Sequence, residues 1–191
     1  MEHARYVKSG SHLMRPDPTE DQISLIKPLK LLVMDVDGIL TEGNLSFLAD
    51  GSEIKSFNIL DGLGIKLLME SGVKTAIITG RQSNQVIQRA ESLGINYIQQ
   101  GREDKLTALQ ELWNSTGFDA SNTAYIGDDM PDLSAIKAAR FGVTVPNGHW
   151  LVKENADYIT TQFGGRGAAR ELCELIMACQ GTLDEALERF Q

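Results

Sequence analysis

The sequence predicts an α/β fold: a parallel sheet with helices on both faces, interrupted once by a small β-hairpin after the first strand. Three observations predict it. Short apolar runs alternate with helical patterns from Leu31 onward, as in a sheet whose strands are joined by helical crossovers. "LLVMD", "VKTAIITG" and "FGVTV" are rich in apolar residues along their length, as strands covered on both faces must be. "LSFLADGSEIKSFN" instead gives two alternating runs around Asp50-Gly51, the mark of a hairpin.

Taken in order, Met1 to about Ser11 reads as loose, and residues 1–27 as an N-terminal extension to a single domain over 28–191. "RPDPTEDQISLIKPL" offers turn residues and then a short helix. "LLVMD" is the first strand, followed by the hairpin. "GLGIKLLMESG" is a helix stopped at Gly72, and "VKTAIITG" the second buried strand. "SNQVIQRAESLG" is a helix with Ser83 as N-cap. "INYIQQ" is a short strand. "EDKLTALQELWNSTG" is an amphipathic helix with Leu106, Leu109 and Trp113 on one side. "TAYIGD" is a strand, "MPDLSAIKAA" a helix and "FGVTV" a strand. "HWLVKENA" is a short helix in which His149 and Trp150 read as helix-start or packing residues, and "DYITT" is the last strand. "GRGAARELCELIMACQ" and "LDEALERF" are two closing helices.

The 191-residue chain suits one full-sized core. Its net charge of -8 speaks against a nucleic-acid surface, which needs clustered Lys and Arg. No apolar run approaches the ~18 residues of a membrane span, and no secretory pattern opens the chain. The cysteines, Cys173 and Cys179, fall on different faces of one helix. They read as reduced, buried thiols of a cytoplasmic protein.

In open parallel sheets the ligand sits beyond the carboxyl ends of the strands. The first strand delivers Asp35 and Asp37 there, and the second Thr79, Gly80 and Arg81. Lys105 opens the helix after the third, and the fourth delivers Asp128, Asp129 and then Asp132. Singly, each has an ordinary explanation: turn chemistry, a solvated lysine, acids at a helix start. Together they converge on one edge. Clustered carboxylates repel unless a cation lies among them, and oxygen donors of this kind favour Mg²⁺. Such a site suits phosphoryl transfer. Asp35 is placed to attack phosphorus and Asp37 to move the proton. Thr79 and Lys105 are placed to bind the equatorial oxygens, and Asp128 completes the metal site with Asp129 and Asp132 behind it.

D-x-D-G-I-L, T-G-R, Lys and G-D-D-x-x-D, in that order, resemble the four-part signature of the haloacid dehalogenase superfamily. The resemblance implies a Rossmann-like core and a Mg²⁺ held by Asp35, the Asp37 backbone carbonyl and Asp128. A phosphorylated receiver or another noncatalytic binding module is a minor alternative, because receivers lack a late G-D-D and a binding module would be expected to lose Asp35 or Asp37.

Many superfamily members carry a cap domain, but the intervals between these motifs are already filled by the expected hairpin, helices and strands. No cap is expected, and the site is open to a macromolecular substrate or to closure by a neighbouring subunit. Leu45, Phe47, Ile54 and Phe57 lie on the hairpin, which is marginal alone. It either pairs with other copies or packs on its own core.

"SFNILDGLGIKLL", "AIITGRQSNQVIQRAESLGI", "QGREDKL" and "GGRGAARELCELIMACQG" are similar to segments of the capless sugar-acid phosphatases, the 3-deoxy-D-manno-octulosonate 8-phosphate phosphatase family. The resemblance implies a homotetramer through the 45–57 hairpin. It also implies substrate contacts at Asn58, Ile59, Leu60, Asp61, Gly62, Lys66, Arg81, Arg89 and Lys105. Lys66 stands where arginine is expected. Arg166 and Arg170, in the C-terminal tail, are implied as a lid over a neighbour's site. The implied reaction is hydrolysis of an eight-carbon sugar acid 8-phosphate for lipopolysaccharide precursor synthesis, the rival substrate being a nine-carbon acid 9-phosphate of the sialic acid type. Arg81 and Arg89 supply forked donors to an anion, on one helical face if one helix includes both.

Overall fold

The structure is a computed structural model and describes residues 15–190. The stretch Met1–Ser11, expected to be loose, lies outside them. A parallel six-stranded sheet is built from β1 (Leu31–Met34), β4 (Lys74–Thr79), β5 (Tyr97–Gln100), β6 (Thr123–Ile126), β7 (Phe141–Thr144) and β8 (Tyr158–Ile159). Its spatial order is β5-β4-β1-β6-β7-β8. From β1 the chain adds strands first on one side and then on the other. The switch falls beside β1, where open α/β sheets leave a crevice at their carboxyl edge.

Period-two alternation decides which residue feeds which core. Leu32 and Met34 enter one hydrophobic cluster, with Ile77 and Ile126. Leu31 and Val33 enter the other, with Ile78 and Tyr125. The first cluster is covered by α1 (Glu20–Ile26), α2 (Ile59–Glu70), α3 (Asn84–Leu93), α7 (Ala168–Gln180) and α8 (Leu183–Glu188). The second is covered by α4 (Lys105–Thr116), α5 (Leu133–Ala138) and α6 (Trp150–Lys153). Cys173 and Cys179 are both buried and unpaired on α7.

The hairpin is small: β2 (Ser46–Phe47) and β3 (Glu53–Ile54), joined through Gly51 at φ +83°. Among the described residues no cap domain accompanies it, since it alone is inserted between β1 and α2. Leu45, Phe47, Leu48 and Ile54 remain exposed on it.

Three local expectations change. Ser83 occupies the N-cap position of α3, but its hydroxyl donates to Gln85 Oε1 at 2.7 Å rather than capping a backbone amide. The helix begins only at Asn84, so Arg81 and Arg89 do not share a helical face. The C-terminal segment is also no free tail. Leu172, Cys173, Ile176 and Met177 of α7 are fully buried against the sheet and α2.

Candidate active site

Asp35 follows the last residue of β1, and its N–H still donates to the Ile126 carbonyl at 3.0 Å. The chain then turns tightly, with the N–H groups of Ile39, Leu40 and Thr41 all directed at the Val36 carbonyl. Gly38 makes this turn at φ +98°, and a Cβ there would lie 2.1 Å from Asp128 Oδ2. The glycine of "DVDG" therefore serves two needs, the left-handed turn and the approach of the Asp128 carboxylate. Thr79 is buried at the end of β4. The pairing of Met34 with Ile77, continued two residues further, sets Thr79 level with Val36, between the two aspartates.

Lys105, the first residue of α4, is buried with its ammonium 2.9 Å from Asp35 and 2.6 Å from Asp132. Asp132 is fully engaged. Its Oδ1 accepts from Lys105 and from the Tyr125 hydroxyl at 2.9 Å, and its Oδ2 from the N–H groups of Asp128 and Asp129 at 3.3 Å. It thus ties the Asp128 loop to Lys105. Asp129 turns aside to accept from the Met130 N–H at 2.8 Å, capping the short 3-10 turn Met130–Asp132.

Asp35, Asp128 and Asp132 each bring a carboxylate oxygen within 4.8 Å of the others. Among the described residues only the Lys105 ammonium stands against these three charges, so two negative charges are left over. The electrostatic consequence is visible in both carboxylates nearest the crevice. Burial, and then repulsion by Asp132, push Asp35 up to about 7 despite Lys105. The same two causes push Asp128 up to about 7. Burial works against the Lys105 ammonium, but Asp35 and Asp132 together outweigh it and raise its pKa. Burial and Asp132 keep Tyr125 a neutral donor. A hard divalent cation with oxygen ligands fits this donor set and supplies the missing charge. Because Asp132 has spent its oxygens, Asp35 and Asp128 are the side chains left to hold it.

Asp37 stands outside this cluster. Its carboxylate pairs with the ammonium of Lys55, just after β3, and lies 3.9 Å from Arg81 Nε. Lys55 also reaches Glu53 at 3.6 Å, and Arg81 bonds Glu53 at 3.0 Å. Lys55 and Glu53 are functional candidates that the sequence reading passed over. A signal existed: in "EIK", Glu53 and Lys55 share one face of the strand and Ile54 takes the other.

The residues implied as substrate contacts fare differently. Asn58 caps α2, accepting from the Leu60 N–H at 2.9 Å and donating to the Gly165 carbonyl at 3.2 Å. Ile59 and Leu60 are exposed beside it. Arg89 reaches the Asn58 carbonyl at 3.2 Å and packs on Gly62, where a Cβ would come within 2.2 Å of Nη2. A cleft of about 400 Å³ opens between the hairpin and this segment, lined by Thr41, Asn44, Ile54, Lys55, Asn58 and Gly165 among others. Asp61 points elsewhere: it is buried and accepts from the Arg170 N–H at 2.8 Å and the Gly167 N–H at 3.3 Å. Its carboxylate serves the start of α7, where a negative charge meets the unpaired N–H groups. Lys66 is exposed further along α2.

Arg166 is exposed and bonds Glu42 at 2.9 Å. Arg170 is engaged within its own chain, paired with Glu174 at 2.5 Å and packed against Gly64, because α7 is a core helix. The preceding loop does seat on the Asp35 turn of the same chain: the Gly165 N–H donates to the Ile39 carbonyl at 2.8 Å, and a Cβ on Gly164 would lie 1.6 Å from the Gly38 carbonyl oxygen. His149 starts α6, accepting from the Leu151 N–H, while its own N–H donates to the Asp128 carbonyl at 2.7 Å.

Comparison with known proteins agrees with this arrangement. Residues 98–172 match the family model of haloacid dehalogenase-like hydrolases. The chain is 40% identical over 166 residues to the 3-deoxy-D-manno-octulosonate 8-phosphate phosphatase of Escherichia coli K12, covering 87% of this chain and 88% of that protein. The enzyme of the same name from Moraxella catarrhalis, solved with magnesium ion, phosphate ion and KDO, is 48% identical and superposes with a TM-score of 0.89 over 91% of this chain and all of that one. A probable phosphatase from Pseudomonas syringae is 50% identical, with a TM-score of 0.88 over 90% of this chain and 98% of that one.

Proposed function

From the premise that the chain belongs to the 3-deoxy-D-manno-octulosonate 8-phosphate phosphatase family of haloacid dehalogenase-like hydrolases, we propose that it hydrolyses that sugar acid phosphate with Mg²⁺ as cofactor. The product is the free eight-carbon acid, destined for lipopolysaccharide precursors. The observation that carries the reading is the charge-deficient cluster of Asp35, Asp128 and Asp132 around Lys105 at the carboxyl edge of β1.

Asp35 attacks the phosphorus and takes the phosphoryl group as an aspartyl-phosphate. The departing C8 oxygen takes its proton from the Asp37 carboxyl. Asp37, now ionised, draws a proton from the water that cleaves the acyl phosphate and restores Asp35. Thr79 and Lys105 hold equatorial phosphoryl oxygens, and the Lys105 charge opposes the negative charge of the transition state. Asp35, the Asp37 carbonyl and Asp128 would hold Mg²⁺, which when bound neutralises the phosphoryl oxygens. Asp129 and Asp132 support that site from behind. Asn58 lines the cleft, and Ile59, Leu60, Arg81 and Arg89 are the further sugar-acid contacts that the family resemblance implies, with Arg89 the donor suited to its carboxylate. Lys66, fully on the outer face of α2, contributes charge only at a distance.

The exposed apolar hairpin supports assembly with other copies, read here as a homotetramer, with Arg166 available to a neighbour. The two unpaired thiols suit a cytoplasmic enzyme. The deciding experiment is phosphate release by the purified protein from a panel of sugar acid phosphates. Turnover is expected to be fastest on the eight-carbon 8-phosphate. Preference for a nine-carbon 9-phosphate would overturn the substrate, and preference for a phosphopeptide would overturn the substrate class.

A further inference from the structure

Four charged side chains form a closed set beside the metal cluster: Asp37, Lys55, Glu53 and Arg81. Two anions face two cations, so this set is balanced where the Asp35 cluster is not. Lys55 is the buried member, its side chain 2% exposed, while Arg81 is 44% exposed. Burying an ammonium is unfavourable unless carboxylates meet it, so the Lys55 charge is committed to Asp37 and Glu53. Glu53 in turn receives Arg81 at 3.0 Å, which leaves Lys55 directed at Asp37.

The pairing is one-sided. Lys55 engages Asp37 Oδ1, whereas among the described residues Asp37 Oδ2 has only the distant Arg81 Nε at 3.9 Å. One oxygen is anchored, and the other makes no hydrogen bond among the described residues. The anchor also pulls the carboxylate away from Asp35 and Asp128, whose group of mutually close oxygens does not include it. An aspartate two residues from Asp35 would otherwise be drawn to the same cation.

We propose that Lys55 is the positioning residue for Asp37, holding one carboxylate oxygen so that the other meets the leaving oxygen of the substrate. This rests on the reading of Asp37 as the proton donor. It also gives the hairpin a part in the chemistry of its own chain: strand alternation turns Ile54 outward and sends Lys55 inward.

The test compares two substrates by kcat/KM, which reports steps up to formation of the aspartyl-phosphate. The leaving group of the eight-carbon 8-phosphate is an alkoxide that needs a proton. The leaving group of p-nitrophenyl phosphate is a phenolate that does not. Asp37→Asn is measured first, and a loss greater on the alkyl phosphate than on the aryl one establishes the Asp37 role. Without that selectivity the reading of Asp37 fails and the proposal with it. Lys55→Met should then lose roughly tenfold or more on the alkyl phosphate, within the range of general acid catalysis, and about threefold or less on the aryl one. Lys55→Arg should recover part of the selective loss. Equal losses on both substrates, beside a selective Asp37→Asn, overturn the proposal. If Lys55→Met does not fold, Lys55→Gln, which keeps a donor without the charge, is held to the same ratio.

Discussion

The Lys105 ammonium lies 2.6 Å from Asp132 and 2.9 Å from Asp35, so one buried cation joins the turn after β1 to the turn after β6. Asp132 also receives the Tyr125 hydroxyl and two backbone N–H groups. Replacing it with alanine leaves Lys105 short of a partner and frees the Asp128 loop. Asp132→Ala should lower stability by roughly 3–5 kcal/mol, the range for breaking a buried pair. Denaturant unfolding checks this, and a loss below about 1 kcal/mol would contradict the network.

Asp35→Asn should abolish phosphate release while the fold is kept, because an amide cannot form the acyl phosphate. Far-ultraviolet circular dichroism and a phosphate assay check both halves. Turnover at the wild-type rate would exclude Asp35 as the nucleophile.

The raised Asp35 and Asp128 set a pH dependence. Each moves from 3.8 to about 7 on folding without metal. A carboxyl with a raised folded pKa keeps its proton where the unfolded chain has lost it. Its contribution is fully present below 3.8 and is lost as the pH rises through about 7. Metal-free protein should therefore lose stability between about pH 4 and pH 7, and Asp35→Asn should flatten the slope. Saturating Mg²⁺ should reverse it, since the cation binds the deprotonated carboxylates. Thermal melts with and without Mg²⁺ decide, and a wild-type slope in Asp35→Asn would sink the argument.

Chelation should stop activity, and restored Mg²⁺ should recover it. The apparent Mg²⁺ affinity should rise with pH up to about 7 and level off above it, because protons compete for Asp35 and Asp128. Titration calorimetry at several pH values gives the curve. Activity that persists in excess chelator would rule out a metal at this cluster.

Gly38→Ala places a Cβ 2.1 Å from Asp128 Oδ2 at φ +98°. The strain of a non-glycine residue there is of order 1–3 kcal/mol, and the Asp128 carboxylate must also move. The variant should lose Mg²⁺ affinity along with activity. Normal metal binding would show that the close approach is dispensable.

Deleting the chain after Thr161 tests the revised view of the C-terminal segment. It removes Leu172, Cys173, Ile176 and Met177, all fully buried, at about 1.5–3 kcal/mol for each large apolar side chain. The truncated protein should fail to fold cooperatively. A folded truncation with altered KM would return the segment to the role of a lid.

The order of strands and helices was legible because each strand had to be apolar on both faces and each helix on one. Asp35, Thr79, Lys105 and Asp128 were legible as a group because parallel strands deliver their C-terminal residues to one edge, wherever the strands lie in the sheet. That logic needs only local periodicity and the direction of the chain.

Pairings across elements were not legible in the same way. Asp61 and Arg89 both read as ligand contacts, yet Asp61 faces the start of α7 and Arg89 spans from α3 to Asn58. Arg170 sat in a segment that resembled a lid, but the apolar face of α7 binds it into the core. Lys55 lies in the hairpin, and only the fold of that hairpin over the β1 turn brought it to Asp37. The sequence by itself determined the α/β architecture, the family and the set of groups at the sheet edge, because these follow from spacing along one chain. Tertiary structure alone decided which carboxylate met which cation, because burial makes each charge choose a partner by distance in space rather than by position in sequence.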